Sequence, residues 1–280
     1  MKTYIAELFD NRRHELAESP CFDERSGVTS YVDITRGLIF RINGSSRTEF
    51  SLGEQVGACV PCEDGSYILC GTKALYGFDG HEAKKVFPLD HVFEPWQRCN
   101  DCKADPSGRL FIGSSSYKDG FEGGNLYLWD KELRVLEADT GIANGMAWNG
   151  DKFYFADSRE HAVFVYRYSP DGSISDRKVL FKTDSGVPDG LCIDGNGDLW
   201  VAIWGGSRIE HRDGVTGQLR SVIELPATNV TSCCFISDNT LFITTSGLDL
   251  DGEYDGCLFT CKVDSIQAPS YLASRHFLIH

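Results

Sequence analysis

Short runs of apolar or alternating residues recur along the chain, each bounded by a polar turn. The turns include Asp64-Gly65, Asp79-Gly80, Asn149-Gly150, Asp171-Gly172 and Asp213-Gly214. No window keeps apolar residues at i, i+3, i+4 and i+7 over three turns, so helices are not expected. Strand-length runs closed by Asp-Gly and Asn-Gly pairs predict hairpins and an all-β chain.

The turns are periodic. A polar turn leads into a short apolar run at Tyr31-Val32-Asp33-Ile34, Tyr67-Ile68-Leu69-Cys70 and Leu110-Phe111-Ile112-Gly113. The same happens at Phe153-Tyr154-Phe155-Ala156, Leu199-Trp200-Val201-Ala202 and Leu241-Phe242-Ile243-Thr244. With Thr29, Tyr67, Leu110, Phe153, Leu199 and Leu241 as equivalents, the repeat is about 40 residues. A period near that value with short strands predicts a β-propeller, here six-bladed and filling residues 1–280 as one domain. Most repeats continue into an alternating run, such as Gly37–Ile42, Ala74–Phe78, Gly124–Trp129, Ala162–Tyr168 or Gly256–Cys261. These runs are expected to be the half-exposed outer strands of the blades. The segment Thr3–Phe9 is expected to close the ring by adding a strand to the last blade.

Composition narrows the function classes. With 41% hydrophobic and 24% charged residues, the chain is that of a globular protein. A net charge of −14 argues against nucleic acid and against an anionic membrane surface, and is compatible with cation binding. No stretch has the apolar length of a membrane helix, and the N-terminus lacks an apolar leader core, so a cytoplasmic protein is expected. The 11 cysteines include two CxxC pairs, Cys59/Cys62 and Cys99/Cys102. Their separation is wide for structural zinc, and reduced, buried thiols are the expected state.

The candidate chemistry lies just before the periodic turns. Glu18 precedes Asp23 by five residues. Asn100 before Asp105, Asn144 before Asn149 and Asp189 before Asp194 repeat that offset of five. Each alone reads as a turn residue, Pro188-Asp189-Gly190 above all. Equivalent positions in a radial array face a common axis, so together they predict a site at one mouth of the channel. Two carboxylates and an amide oxygen suit one divalent metal ion, and calcium, zinc, magnesium and manganese all remain open. The histidines do not occupy the recurrent positions, and no Gly-x-Ser-x-Gly elbow is present.

Over nearly its whole length the chain resembles the gluconolactonase/regucalcin (senescence marker protein) family, which includes the luciferin-regenerating proteins. The resemblance is carried by Ala17-Glu18-Ser19-Pro20, Arg98-Cys99-Asn100-Asp101-Cys102-Lys103, Ala143-Asn144-Gly145, Pro188-Asp189-Gly190 and Thr231-Ser232-Cys233-Cys234-Phe235. It implies that Glu18, Asn144 and Asp189 hold one divalent metal and that Arg98 and Asn100 bind substrate oxygens. It also implies hydrolysis of a sugar lactone to the sugar acid, with Asp189 as both metal ligand and proton shuttle. This chain has Ser19 where the family usually has glycine. Cys102 also stands where glycine is common, which is expected to put a thiol near the site. An acidic residue on the loop of the third repeat contacts substrate in regucalcin-like members. The aligned position here is Lys118, with Asp119 and Glu122 close by, and Glu122 is the acidic candidate for substrate contact. A monomer acting on a small-molecule sugar lactone is the expected state. The alternatives are a non-catalytic calcium-binding regulatory propeller and a propeller scaffold for protein partners.

Overall fold

The computed structural model describes residues 1–116 and 123–274. The described residues form six sheets arranged as blades around a central channel; the strands of blades one to four follow chain order from the axis outward, and blades five and six do so except for an outermost strand from the N-terminus. The innermost strands are Ala17–Asp23, Val56–Pro61, Gln97–Ala104, Ala143–Asn149, Val187–Ile193 and Asn229–Ser237. The runs used to set the repeat are the second strands, from Val28–Asp33 in blade one to Thr240–Ser246 in blade six. Each second strand lies between two others in its blade and packs on neighbouring blades, so it reads as a continuous apolar run rather than an alternating one.

Six apolar clusters fill the six spaces between adjacent blades. Tyr67, Leu69 and Phe78 of blade two meet Val32, Ile34 and Ile39 of blade one. Trp148, Phe153 and Phe155 of blade four meet Phe111 and Leu128 of blade three. Core is therefore distributed around the ring, and the channel itself is left for polar side chains.

Two expectations change. The alternating runs are third strands, not outer ones. Gly124–Asp130 and Ala162–Tyr168 are mostly buried because both of their faces meet neighbouring blades. The true outer strands, such as Ser46–Ser51 and Ile174–Lys182, are largely exposed and polar. The N-terminal segment also closes the ring differently. Glu7–Asp10 pairs antiparallel with Leu258–Lys262 in blade six, as expected. Lys2–Ile5 instead pairs parallel with Leu219–Glu224 in blade five. The chain changes blade at Ala6, which is buried in the apolar cluster between blades five and six and donates its N–H to Glu224 O at 3.0 Å.

One irregularity positions the site. Every innermost strand is bulged near its start: between Glu18 and Cys21, Val56 and Ala58, Cys99 and Cys102, Ala143 and Met146, Pro188 and Leu191, and Val230 and Ser232. A bulge adds an unpaired residue and re-aims its side chain. At the opposite end of the channel the tail crosses the turns. Gly195 N–H donates to Ile266 O at 2.6 Å, Ala273 N–H to Pro61 O at 2.9 Å and Ser274 N–H to Gly108 O at 2.8 Å.

Candidate functional site

The bulges align Glu18, Asn100, Asn144 and Asp189 with Gly57 of blade two and Thr231 of blade six as equivalent positions around the mouth. Glycines follow two of the polar residues. A Cβ on Gly145 would lie 2.5 Å from Leu191 N, and one on Gly190 would lie 2.0 Å from Ser232 Oγ. Only glycine lets neighbouring inner strands come this close.

Glu18, Asn100, Asn144 and Asp189 are all buried, at 6%, 6%, 4% and 5% exposure. Asn100 and Asn144 belong to a hydrogen-bond chain that crosses blades three, four and five. Arg98 Nη1 donates to Asn100 Oδ1 at 2.6 Å and to Cys99 O at 3.0 Å. Asn100 Nδ2 donates to Asn144 Oδ1 at 2.9 Å and to Ala143 O at 3.0 Å. Asn144 Nδ2 donates to Ser158 Oγ at 2.8 Å, and Ser158 Oγ donates to Pro188 O at 2.7 Å, beside Asp189. Both amides are thereby fixed in orientation, and the second lone pair of Asn144 Oδ1 remains an acceptor.

The carboxylates are strongly perturbed. Burial, followed by repulsion from Asp101, raises Glu18 to about 8; the Ser19 N–H, Arg98 and Lys103 oppose the rise. Burial, followed by Glu18 and Asp101, holds Asp189 well above the ordinary carboxylate range, against Arg98. Burial also raises Asp101, against Lys103 and Ser19. Three desolvated carboxylates thus face one another with Arg98 and Lys103 as the cations acting on them. One negative charge remains uncompensated when all three ionise. This donor set fits a divalent cation: oxygen ligands, anionic excess and like charges held together against their repulsion.

Ser19 occupies left-handed backbone, with φ of 47°, a conformation glycine adopts freely. Its hydroxyl offsets the strain by donating to Gly57 O at 2.9 Å, and it also lies 3.2 Å from Asp101 Oδ1. Cys102 does not approach the mouth as expected. It is buried in the apolar cluster between blades two and three with Cys70 and Cys99, because the bulge turns Asp101, not Cys102, toward the carboxylates. Glu122, Lys118 and Asp119 lie outside the described residues.

Two site residues escaped sequence reasoning. Asp101 sits next to Asn100, and strict alternation would send one of them away from the axis; the bulge brings both inward. Ser158 comes from the end of a second strand, with no motif around it.

A different cluster, Asp194, Asp198 and His211, has its potential ligand atoms within 4.8 Å of one another. It is a structural network inside blade five. Asp194 accepts from Trp200 Nε1 at 3.2 Å, Arg220 Nε pairs with Asp198 at 3.0 Å, and His211 stacks on Trp200 at 4.1 Å. Among the described residues no helix is long and apolar enough to cross a membrane.

Comparison with known proteins shows the family and the fold. The family model described as "SMP-30/Gluconolactonase/LRE-like region" matches residues 16–247. Regucalcin from Danio rerio is 32% identical over 268 residues, covering 90% of this chain and 90% of that protein. A putative sugar lactone lactonase, YvrE, from Bacillus subtilis is 30% identical over 264 residues, covering 86% of this chain and 87% of that protein. Among solved structures, a luciferin-regenerating enzyme superposes with a TM-score of 0.89 at 24% identity, covering 97% of this chain and 99% of that one.

Proposed function

Because the chain belongs to the SMP-30/gluconolactonase/LRE-like family, we propose that it is a metal-dependent hydrolase that opens a sugar lactone to the sugar acid. The observation that carries the reading is the buried trio Glu18, Asp101 and Asp189 beside Asn144 and Arg98 at the channel mouth.

In this reading Glu18, Asn144 and Asp189 hold one divalent ion: calcium, zinc, magnesium or manganese. The ion would supply polarisation of the lactone carbonyl and a more acidic bound water. Arg98, its Nη1 braced by Asn100, binds the oxygens of the lactone. Asn100 acts chiefly by fixing Arg98 and Asn144, since both its amide hydrogens are already donated. In this reading Asp189 accepts a proton from the attacking water. Ser158 accepts from Asn144 Nδ2 and so keeps the Asn144 oxygen on the side of Asn100, with its second lone pair as the proposed metal donor. Glu122 contributes to substrate choice. A cytoplasmic setting belongs to this reading, with most of the cysteines buried as small apolar side chains.

The test is hydrolysis of a panel of aldonolactones, before and after chelation and after restoring each of the four ions. Metal-dependent turnover of at least one lactone is expected, and no turnover with any ion overturns the reading. A second reading, a non-catalytic calcium-binding regulator, is favoured by the similarity to proteins named regucalcin. It predicts calcium binding without turnover in the same experiment.

A further inference from the structure

Below the mouth the channel changes character. Three and four residues beyond Glu18, Asn144 and Asp189 the inner strands carry Phe22, Ala147, Trp148 and Ile193, and Phe235 takes the matching place in blade six. Lys103, three beyond Asn100, is the one charged side chain at this level among the described residues. These strands surround a cavity of about 90 Å3, and the C-terminal segment from Gln267 to Tyr271 forms its floor. A smaller cavity of about 20 Å3 adjoins it, since Pro20, Cys21, Lys103 and Tyr271 line both. Phe22, Ile193 and Cys234 keep partial exposure here, so apolar surface faces the channel without a protein partner. The floor is held at its two ends. Gln267 N–H donates to Asp238 O at 2.7 Å, and Ala273 N–H to Pro61 O at 2.9 Å. Between them residues 268–272 make no backbone hydrogen bond among the described residues.

We propose that the lower channel is a small-molecule site that takes a neutral, single-ring aromatic compound carrying one hydrogen-bond acceptor. The site lies apart from the oxygen-lined mouth and does not rest on the lactonase reading. Its size fixes the class of occupant. The cavities of about 90 and 20 Å3 stand below the roughly 150 Å3 of an apolar cavity that holds benzene. One ring is therefore the upper limit, and it enters as the unanchored stretch of floor gives way. Water is a poor occupant, since each buried molecule needs two to four polar partners. Lys103 Nζ is already committed to Met146 O at 3.0 Å and Leu191 O at 2.9 Å, and Gln267 Nε2 to Glu24 Oε1 at 2.6 Å. The Lys103 ammonium also acts on Glu18 and Asp101 above it, so it offers no free charge to an anion below. A neutral ligand follows from that. The walls supply aromatic surface from Phe22, Trp148, Phe235 and Tyr271, with Tyr271 meeting Trp148 edge to face at 6.4 Å. Rings favour such edge and offset contacts with one another. Trp148 is 2% exposed, and its indole N–H finds no acceptor among the described residues. A buried donor left unpaired is costly, and an acceptor on the ligand satisfies it.

Methionine supplies the reporter. The chain has two: Met1, which is exposed, and Met146, which is fully buried and lines the cavity. The experiment titrates para-fluorophenol into the full chain, isotope-labelled at the methionine methyls, and follows both signals by NMR. The Met146 methyl should shift and saturate with one-to-one stoichiometry and a dissociation constant at or below about 1 mM, while Met1 stays in place. Cys234→Leu, which fills part of the space, should weaken binding by about tenfold or more, and its dispersed Met146 signal reports that the variant folds. Trp148→Phe should weaken para-fluorophenol by about two- to tenfold and leave fluorobenzene, which has no acceptor oxygen, unchanged. Glu18→Gln, at the mouth, should leave the Met146 shift intact. A Met146 methyl that stays in place up to the solubility limit of the probe overturns the proposal. So does movement of both methyls without saturation, undiminished binding in Cys234→Leu, equal losses of both probes in Trp148→Phe, or a response lost in Glu18→Gln. Lactone turnover is read separately, so its absence does not bear on this result.

Discussion

Replacing Glu18 by glutamine should stabilise the metal-free protein at alkaline pH while removing a ligand from the mouth. The folded chain holds the Glu18 proton up to about pH 8, against an ordinary value of 4.5. Between those values the unfolded chain has released a proton that the folded chain keeps, so stability falls as pH rises and levels off above about 8. Each pH unit of that window is worth about 1.4 kcal/mol, a ceiling on the order of 5 kcal/mol for an isolated group. Part of the rise is repulsion from Asp101, which relaxes when Asp101 itself takes a proton. The contribution of Glu18 to the fall is then about 2–4 kcal/mol. Urea denaturation of metal-free wild type and Glu18→Gln at pH 5 and pH 9 measures it. His14, lowered by burial, acts in the opposite direction but equally in both proteins, and so cancels in the comparison. Wild type should lose stability across the range, and the variant should lose about 2–4 kcal/mol less. A saturating divalent ion should abolish the loss in wild type alone. Parallel pH profiles for the two proteins would show that Glu18 ionises freely, and the account of the mouth as a cluster of desolvated carboxylates would fail.

Three further outcomes test the site and its scaffold. Asp189→Asn should lower kcat on any lactone substrate by about 10²–10⁴-fold, and a variant with wild-type turnover sinks the role of Asp189 as base. Arg98→Ala should raise KM by about tenfold with a smaller change in kcat; an unchanged KM counts against substrate contact. Gly190→Ala should cost about 1–3 kcal/mol in urea denaturation, because its Cβ would lie 2.0 Å from Ser232 Oγ. Ser232→Gly should recover part of that loss, and a fully stable single variant refutes the close approach.

The five-residue offset made the mouth legible because radial symmetry turns equal distances along the chain into convergence at one axis. Glu18, Asn100, Asn144 and Asp189 were found this way, without any one of them standing out from an ordinary turn. What the offset could not reveal was side-chain direction near the bulge. Bulges have no obligatory residue, so nothing in Arg98-Cys99-Asn100-Asp101-Cys102-Lys103 announces that Asn100 and Asp101 both turn inward while Cys102 packs between blades. The same limit hid the blade anatomy. Alternation marks one wet face in an open sheet, but a propeller blade is covered on both faces except near its rim. Alternating runs therefore proved to be third strands, and the polar rim strands left little signal. Arg208–Arg212 is the sharpest case. Four of its five residues are charged or polar, yet it is an interior strand, with Glu210 held between Arg208 at 2.6 Å and Arg212 at 2.7 Å. Ion pairing along one strand face replaces apolar burial there, and hydrophobic periodicity cannot register it. The features that escaped are thus those fixed by contacts between strands. Those recovered are fixed by repeat spacing, which is why the channel mouth, a product of repetition, was more readable than the blades that support it.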